Sequence, residues 1–232
     1  MTNFDQLAER FGESGFVQSL SPPLQMAIFL GSLVLLPAAL ACLTCFTRIT
    51  IVLSFVRRGL STQEIPPNNV LVGLALFLTV FIMEPTLSRL NTEAILPFMN
   101  KQITGIEAFR KGTEIHKAFM LRQTRKHDLA LFIHMSKSGP IATASETPIT
   151  VLIPAFIISE LKTAFFMGFC IYVPFLLVDI VVATVLMSMG MMMMPPVIVS
   201  TPFKILLFVL ADGWHLVAFR LPWRSARTST CE

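Results

Sequence analysis

Four long apolar stretches, nearly all punctuated by proline, constrain this chain more than any other feature. The first runs Leu24 to Phe46 without a charge and with Pro37 inside it, resumes through Ile49–Val56 after Arg48, and stops at Arg57-Arg58-Gly59. The second runs Val70 to Met83, between Pro66-Pro67 and Pro85. The third, Ile149 to Met194, is far longer than one bilayer crossing and is interrupted by Glu160, Lys162, Pro174 and Asp179. The fourth runs Val197 to Phe219 and holds Lys204 and Asp212. A crossing takes about 20 apolar residues, so simple counting predicts about four spans. Each internal proline removes a helical hydrogen bond. In hydrocarbon such breaks persist only where protein or a water-filled cavity satisfies the freed backbone groups. The helices are therefore expected to pack against partners rather than to be bathed in lipid.

Composition excludes the alternatives. Charged residues make up 14% of the 232 residues and hydrophobic ones 54%, against about 25% charged in soluble domains. A water-soluble globule of this size could not hide that much apolar surface, and the same figures exclude disorder, collagen and a small disulfide scaffold. The net charge of +4 carries no nucleic-acid signature, because the central basic residues are interleaved with acids and no Arg-rich arm or aromatic ladder accompanies them. Cys42 and Cys45 lie in an apolar helical stretch with no further ligands, and read as small hydrophobes rather than a metal or redox pair. The four histidines show no metal-ligand spacing, and no nucleophile elbow, phosphate loop or dinucleotide fingerprint is present. The expectation is no enzyme, no metal and no cofactor.

Along the chain, residues 1–20 read as a tail or short amphipathic helix, through Phe4, Leu7, Ala8 and Phe11, without a visible signal peptide. Residues 21–83 hold the N-terminal apolar helices, and 84–148 central amphipathic helices. Residues 149–219 form a C-terminal helical hairpin with a methionine-rich turn, and 220–232 a basic tail. Arg48, Arg57 and Arg58 favour a cytoplasmic connection between the first two apolar regions. The central segment from Ile106 to Met135 has no proline and a rough apolar stripe, so it reads as helical. Its basic face is either solvated or a docking surface.

Two constellations carry functional meaning. The first is Met187-Ser-Met189-Gly190-Met191-Met192-Met193-Met194-Pro195-Pro196, which packs six of the thirteen methionines into eight positions. Gly190 and the double proline should break the helix. The turn is either ordinary core methionine or, repeated around an axis, a deformable apolar constriction that blocks ions by dewetting while moulding around a passing chain. The second is the set of ionisable groups in apolar surroundings: Glu160, Lys162, Asp179, Lys204 and Asp212. A charge at a helix centre costs about 2.5–3.5 kcal/mol on insertion scales, so each should be paired or face water. Opposite charge and hairpin geometry suggest a Glu160–Lys204 pair. A rival reading makes Glu160, Asp179 and Lys204 the proton relay of an ion-coupled membrane transporter.

The motifs resemble a known family. Phe46-Thr-Arg-Ile-Thr-Ile-Val-Leu-Ser-Phe-Val-Arg-Arg-Gly-Leu60, Pro66-Pro67-Asn68 and Gly73-Leu-Ala-Leu-Phe-Leu-Thr79 are similar to the FliP family of flagellar biosynthesis proteins, which groups with MopC and SpaP. So are Phe119-Met-Leu-Arg-Gln-Thr-Arg125, Ser159-Glu-Leu-Lys-Thr-Ala-Phe165, Met189–Pro196, Pro202-Phe-Lys-Ile-Leu-Leu-Phe208 and Asp212-Gly213-Trp214. The likeness spans about residues 22–217. It implies an all-α, membrane-associated subunit of kinked helical hairpins within a helical hetero-oligomeric channel, the type III secretion export gate. It implies copies of itself, FliQ, FliR and FlhB as partners, unfolded flagellar proteins as cargo, and a place in the inner membrane at the flagellar basal body. By motif match, Met191, Met192, Met193 and Met194 would form the gasket of the closed pore, hinged at Gly190, Pro195 and Pro196. Glu160 and Lys204 would be buried charges joining helices or subunits, with Arg125, Asp179 and Asp212 as further buried or interface charges. Many relatives begin with a signal sequence that this N-terminus lacks. After Trp214 the likeness decays into the tail.

Overall fold

A computed structural model describes residues 21–62, 65–136, 146–191 and 194–220. The expected N-terminal amphipathic helix and the basic tail beyond Arg220 lie outside the described residues. All regular structure among the described residues is helical: α1 (Pro22–Leu43), α2 (Phe46–Gly59), α3 (Asn68–Leu90), a π-helical turn (Asn91–Ile95) and α4 (Leu96–Met99). Then follow α5 (Gly105–Gln123), α6 (Lys126–Met135), α7 (Ile149–Ser188), α8 (Pro196–Leu210) and α9 (Gly213–Arg220).

The core is built on two facing stripes. On α2, Ile49, Val52, Leu53 and Val56 are almost fully buried, the spacing of one helical face. On α7 the matching stripe is Leu152, Ala155, Phe156, Ser159, Glu160, Thr163, Ala164 and Gly168. The two helices run parallel, since Arg48 meets Glu160, Phe55 lies against Gly168, and Gly59 lies against Phe175. Small residues set the spacing. A Cβ on Gly168 would sit 2.4 Å from the Phe55 ring, and one on Gly59 2.6 Å from the Phe175 ring. Helix α3 turns back along α2, and α5 runs antiparallel to α3, with Gly112 beside Leu90. Helix α5 starts at a capping box in which the Thr104 backbone N–H donates to Glu107 and the Glu107 N–H donates to Thr104 Oγ1. The Thr104 N–H, and after it the Thr104 hydroxyl, favour the charged carboxylate and hold the Glu107 carboxyl below its ordinary value.

Two features refine the sequence reading. The internal prolines lie within unbroken helices: Pro37 within α1, Pro85 within α3, Pro154 and Pro174 within the 40-residue α7, and Pro202 within α8. Each missing N–H costs one bond of the ladder, and buried neighbours hold the helix through the gap: Ile82 and Met83 beside Pro85, Leu152 and Ala155 around Pro154, and Phe175 beside Pro174. The span count falls from four to three among the described residues, namely Pro22–Leu43, Asn68–Met99 and Ile149–Ser188. The fourth stretch is split at Ala211–Asp212, leaving the 15-residue α8, which at 1.5 Å per residue is about 22 Å long. The first stretch is also divided. Thr44 stops α1 by donating to the Leu40 carbonyl and then accepts from the Phe46 N–H.

Candidate functional site

The methionine turn closes the hairpin of α7 and α8. Helix α7 ends in a Schellman arrangement, in which the Gly190 N–H donates to Met187 O at 3.0 Å and the Met191 N–H to Leu186 O at 3.1 Å. This closure needs a left-handed residue after the last turn, and Gly190 supplies it at φ +76°. Pro195 caps α8 with extended backbone, and Pro196 occupies its first position, where the absent N–H would have no partner anyway. Met191 and Met194 are 42% and 45% exposed, and Met187 and Met189 more so. Met192 and Met193 lie outside the described residues. Core methionine does not sit this far in the open. The described methionines, Met187, Met189, Met191 and Met194, leave their thioethers exposed at the end of an apolar hairpin.

Three of the ionisable groups of the apolar stretches, Glu160, Asp179 and Lys204, enter two separate clusters. At the lower end of the α7–α8 hairpin, Lys204 Nζ donates to Asp179 Oδ2 at 2.6 Å and to Ser61 Oγ at 2.5 Å, and Ser200 Oγ donates to Asp179 Oδ1 at 2.6 Å. Lys204 is 2% exposed. This cluster ties α8 to α7 and both to the turn after α2. At the other end of the α2–α7 contact, Arg48 grips Glu160 with two parallel bonds, Nε to Oε2 at 2.7 Å and Nη2 to Oε1 at 2.5 Å. Gln123 Oε1 accepts from Arg48 Nη2 at 3.0 Å. The bidentate fork is the strong form of such a pair, and both side chains are essentially buried.

The expected Glu160–Lys204 pair is thus not formed: each residue is buried, and each has a different partner. The reason is register. Glu160 lies on the first half of α7 and Asp179 on the second, nineteen positions further on, about 28 Å at 1.5 Å per residue. Because α8 is short and starts after Ser188, its Lys204 reaches Asp179. Asp212, grouped with the buried charges on sequence, is exposed in a left-handed turn between α8 and α9. Arg125 is half-buried at the start of α6, its N–H donating to Ser159 Oγ at 2.9 Å and its guanidinium to Thr163 Oγ1 at 3.2 Å. Lys162 reaches the buried Asp128 at 2.5 Å.

Sequence reasoning missed Arg48, Gln123 and Asp128. By its place in the sequence Arg48 marks membrane orientation, yet it is 1% exposed. It sits alone between Phe46 and Ile49 in apolar sequence, the same signal that singled out Glu160 and Lys204. Gln123 and Asp128 had no such signal, because they lie among exposed basic residues of the central segment.

Comparison with known proteins identifies the family. The FliP family model matches residues 29–221. The flagellar biosynthetic protein FliP of Bacillus subtilis is 54% identical over 200 residues, covering 86% of this chain and 90% of that protein. The FliP of Pectobacterium carotovorum is 52% identical, covering 86% and 78%, and that of Aquifex aeolicus 45% identical, covering 91% and 88%. The matched range contains α2 through α8, with the charge clusters and the methionine turn. The chain belongs to the FliP family and is a membrane-helix component of the bacterial flagellar export apparatus.

Proposed function

We propose that several copies of the chain assemble with FliQ and FliR, and next to FlhB, into a closed helical channel at the flagellar basal body in the inner membrane. Unfolded flagellar proteins cross through it, and the turn Met191–Met194 seals it between cargoes. The role is passage, not catalysis. The observation that carries the reading is the position of that turn. It stands at the end of an apolar hairpin, flanked by Gly190 on one side and Pro195-Pro196 on the other, with its described thioethers exposed. A flexible, polarizable side chain conforms to an irregular neighbour, and a ring of them forms a constriction that dewets when empty. Gly190 and the prolines are the points about which the hairpin ends would move.

The proton-relay reading has less support. Both Glu160 oxygens are engaged by Arg48, and Asp179 lies far along the same helix, held by Ser200 and Lys204. The gasket is tested by replacing Met191–Met194 with alanine in the assembled complex and measuring small-ion conductance across the membrane. Leak should rise before export is lost. Unchanged conductance removes the gasket role.

A further inference from the structure

Away from the methionine hairpin, α3 and α5 enclose a cleft of about 100 Å³. One wall is Ile82, Pro85, Thr86 and Arg89 of α3; the other is Ile115, Ala118, Phe119, Arg122 and Gln123 of α5. Each set follows helical spacing, so both helices present one face to the cleft. The antiparallel run places Arg89 at one end and Arg122 at the other.

The polar lining consists of donors. Arg89 spends its Nε on Glu93 at 3.0 Å, outside the cleft, which leaves its Nη groups. Among the described residues, the Arg122 guanidinium has no hydrogen bond or ion pair. Gln123 is 2% exposed, and its Oε1 accepts from Arg48, so its NH₂ is the polar group it has left. Thr86 is the fourth. Helical threonines elsewhere, including Thr50, Thr79, Thr92, Thr113, Thr163, Thr184 and Thr201, donate to the carbonyl one turn back. Thr86 does not, and among the described residues it makes no hydrogen bond at all. No carboxylate lines the cleft. Its floor, Ile82, Ile115 and Phe119, is buried and apolar, while Arg89 and Arg122 stand exposed at its rim, within reach of an anion arriving from outside.

We infer that this cleft is a binding site for a phosphate-class oxyanion. Two guanidiniums, an amide NH₂ and a free hydroxyl match the oxygens of a tetrahedral anion, and arginine is suited to this because it donates in a planar fork. The volume fits as well: water occupies about 30 Å³ in the liquid, so the cleft takes three waters or one such group. The anion comes either from a phospholipid headgroup or from soluble phosphate. The position of Gln123 links the site to the Arg48–Glu160 clamp through one side chain.

The test uses the full chain in an uncharged detergent, titrated calorimetrically with inorganic phosphate, and in parallel native mass spectrometry after extraction from vesicles of phosphatidylglycerol and phosphatidylcholine. Arg89→Gln and Arg122→Gln should each weaken phosphate binding at least about tenfold, and Thr86→Val by less, as expected for charge-assisted bonds. Arg58→Gln, an exposed arginine distant from the cleft, should change nothing. If the arginine variants lose phosphatidylglycerol retention, the headgroup is the source; if they lose only inorganic phosphate, the soluble anion is. The inference is overturned if the wild-type chain binds neither probe. It is equally overturned if Arg58→Gln weakens binding as much as the cleft variants, since binding then follows total charge.

Discussion

The two ends of helix α7 obey different rules. Its first half lies in the middle of the molecule, where Leu152, Ala155, Phe156, Ser159, Glu160 and Ala164 are covered by α2, α5 and α6. Every charge there has a specific partner at hydrogen-bond distance. Its last turns, from Ile180 to the methionines, bury Leu186 but leave Ile180, Val181, Val185 and Met187 all more than half exposed. The sequence of the exposed end is as apolar as that of the buried one. What separates them is side-chain shape: small residues and hydrogen-bonding groups at the close contact, branched and flexible apolar residues where the chain supplies no neighbour. Helix α1 belongs with the exposed end, since none of its apolar window is buried inside the chain. A chain with surfaces of both kinds is finished as a unit at its centre and unfinished at its rim.

The largest expected effect lies at the centre. Arg48→Ala or Glu160→Ala strands a buried charge and should lower stability by about 3–5 kcal/mol, read from thermal unfolding of the detergent-solubilised chain. The exchange Arg48→Glu with Glu160→Arg should recover part of that loss, while Glu160→Lys with Lys204→Glu should recover none. Recovery in the second exchange would restore the pairing expected from sequence and break the division drawn here. Replacing Met191 and Met194 with alanine should move the same unfolding curve by less than about 0.5 kcal/mol, as at other exposed sites.

The glycines sharpen the contrast. Gly168→Ala drives a methyl into the Phe55 ring and should cost about 1–3 kcal/mol, with Phe55→Leu relieving it. Gly190 has nothing within 4 Å of a would-be Cβ, so Gly190→Ala should cost about 1–2 kcal/mol through its left-handed backbone alone, and no neighbouring substitution should rescue it. If both variants respond to Phe55→Leu, the two ends are not independent.

The smallest effect is a pH slope at the edge of the central packing. His116 touches the last carbonyl of α1 at Leu43, and burial holds its imidazole below the ordinary histidine value. A depressed value means that the unfolded chain binds the proton more readily. Stability is therefore full above about pH 6.5 and falls as pH drops toward the folded value. His116→Gln should flatten the slope of melting temperature between about pH 5 and 7. An unchanged slope assigns it to other groups.

The helical class, the apolar stretches, the methionine turn and its breakers were legible in sequence because each rests on local chemistry. Gly190 before a run of methionines and a double proline states a helix end in the order of its residues. The continuity of α7 through Pro154 and Pro174 was not legible, because the stabilising contacts come from helices far away in sequence. The charge partners failed for the same reason. That Glu160 must be paired follows from its apolar neighbours. That its partner is Arg48, not Lys204, follows only from α2 lying parallel to α7. Asp128 and Gln123 are polar residues in a polar segment, and nothing local marks them as interior.

The separation of Arg48 from Glu160, 112 residues, also sets a clock. At about 5–20 residues per second of synthesis, the guanidinium is made on the order of 10 s before the carboxylate that will neutralise it. During that wait, burying it alone in hydrocarbon would cost about 2.5–3.5 kcal/mol. The Arg48 side chain is therefore expected to stay within reach of water in the newborn chain until Glu160 is made and α7 can pack along α2.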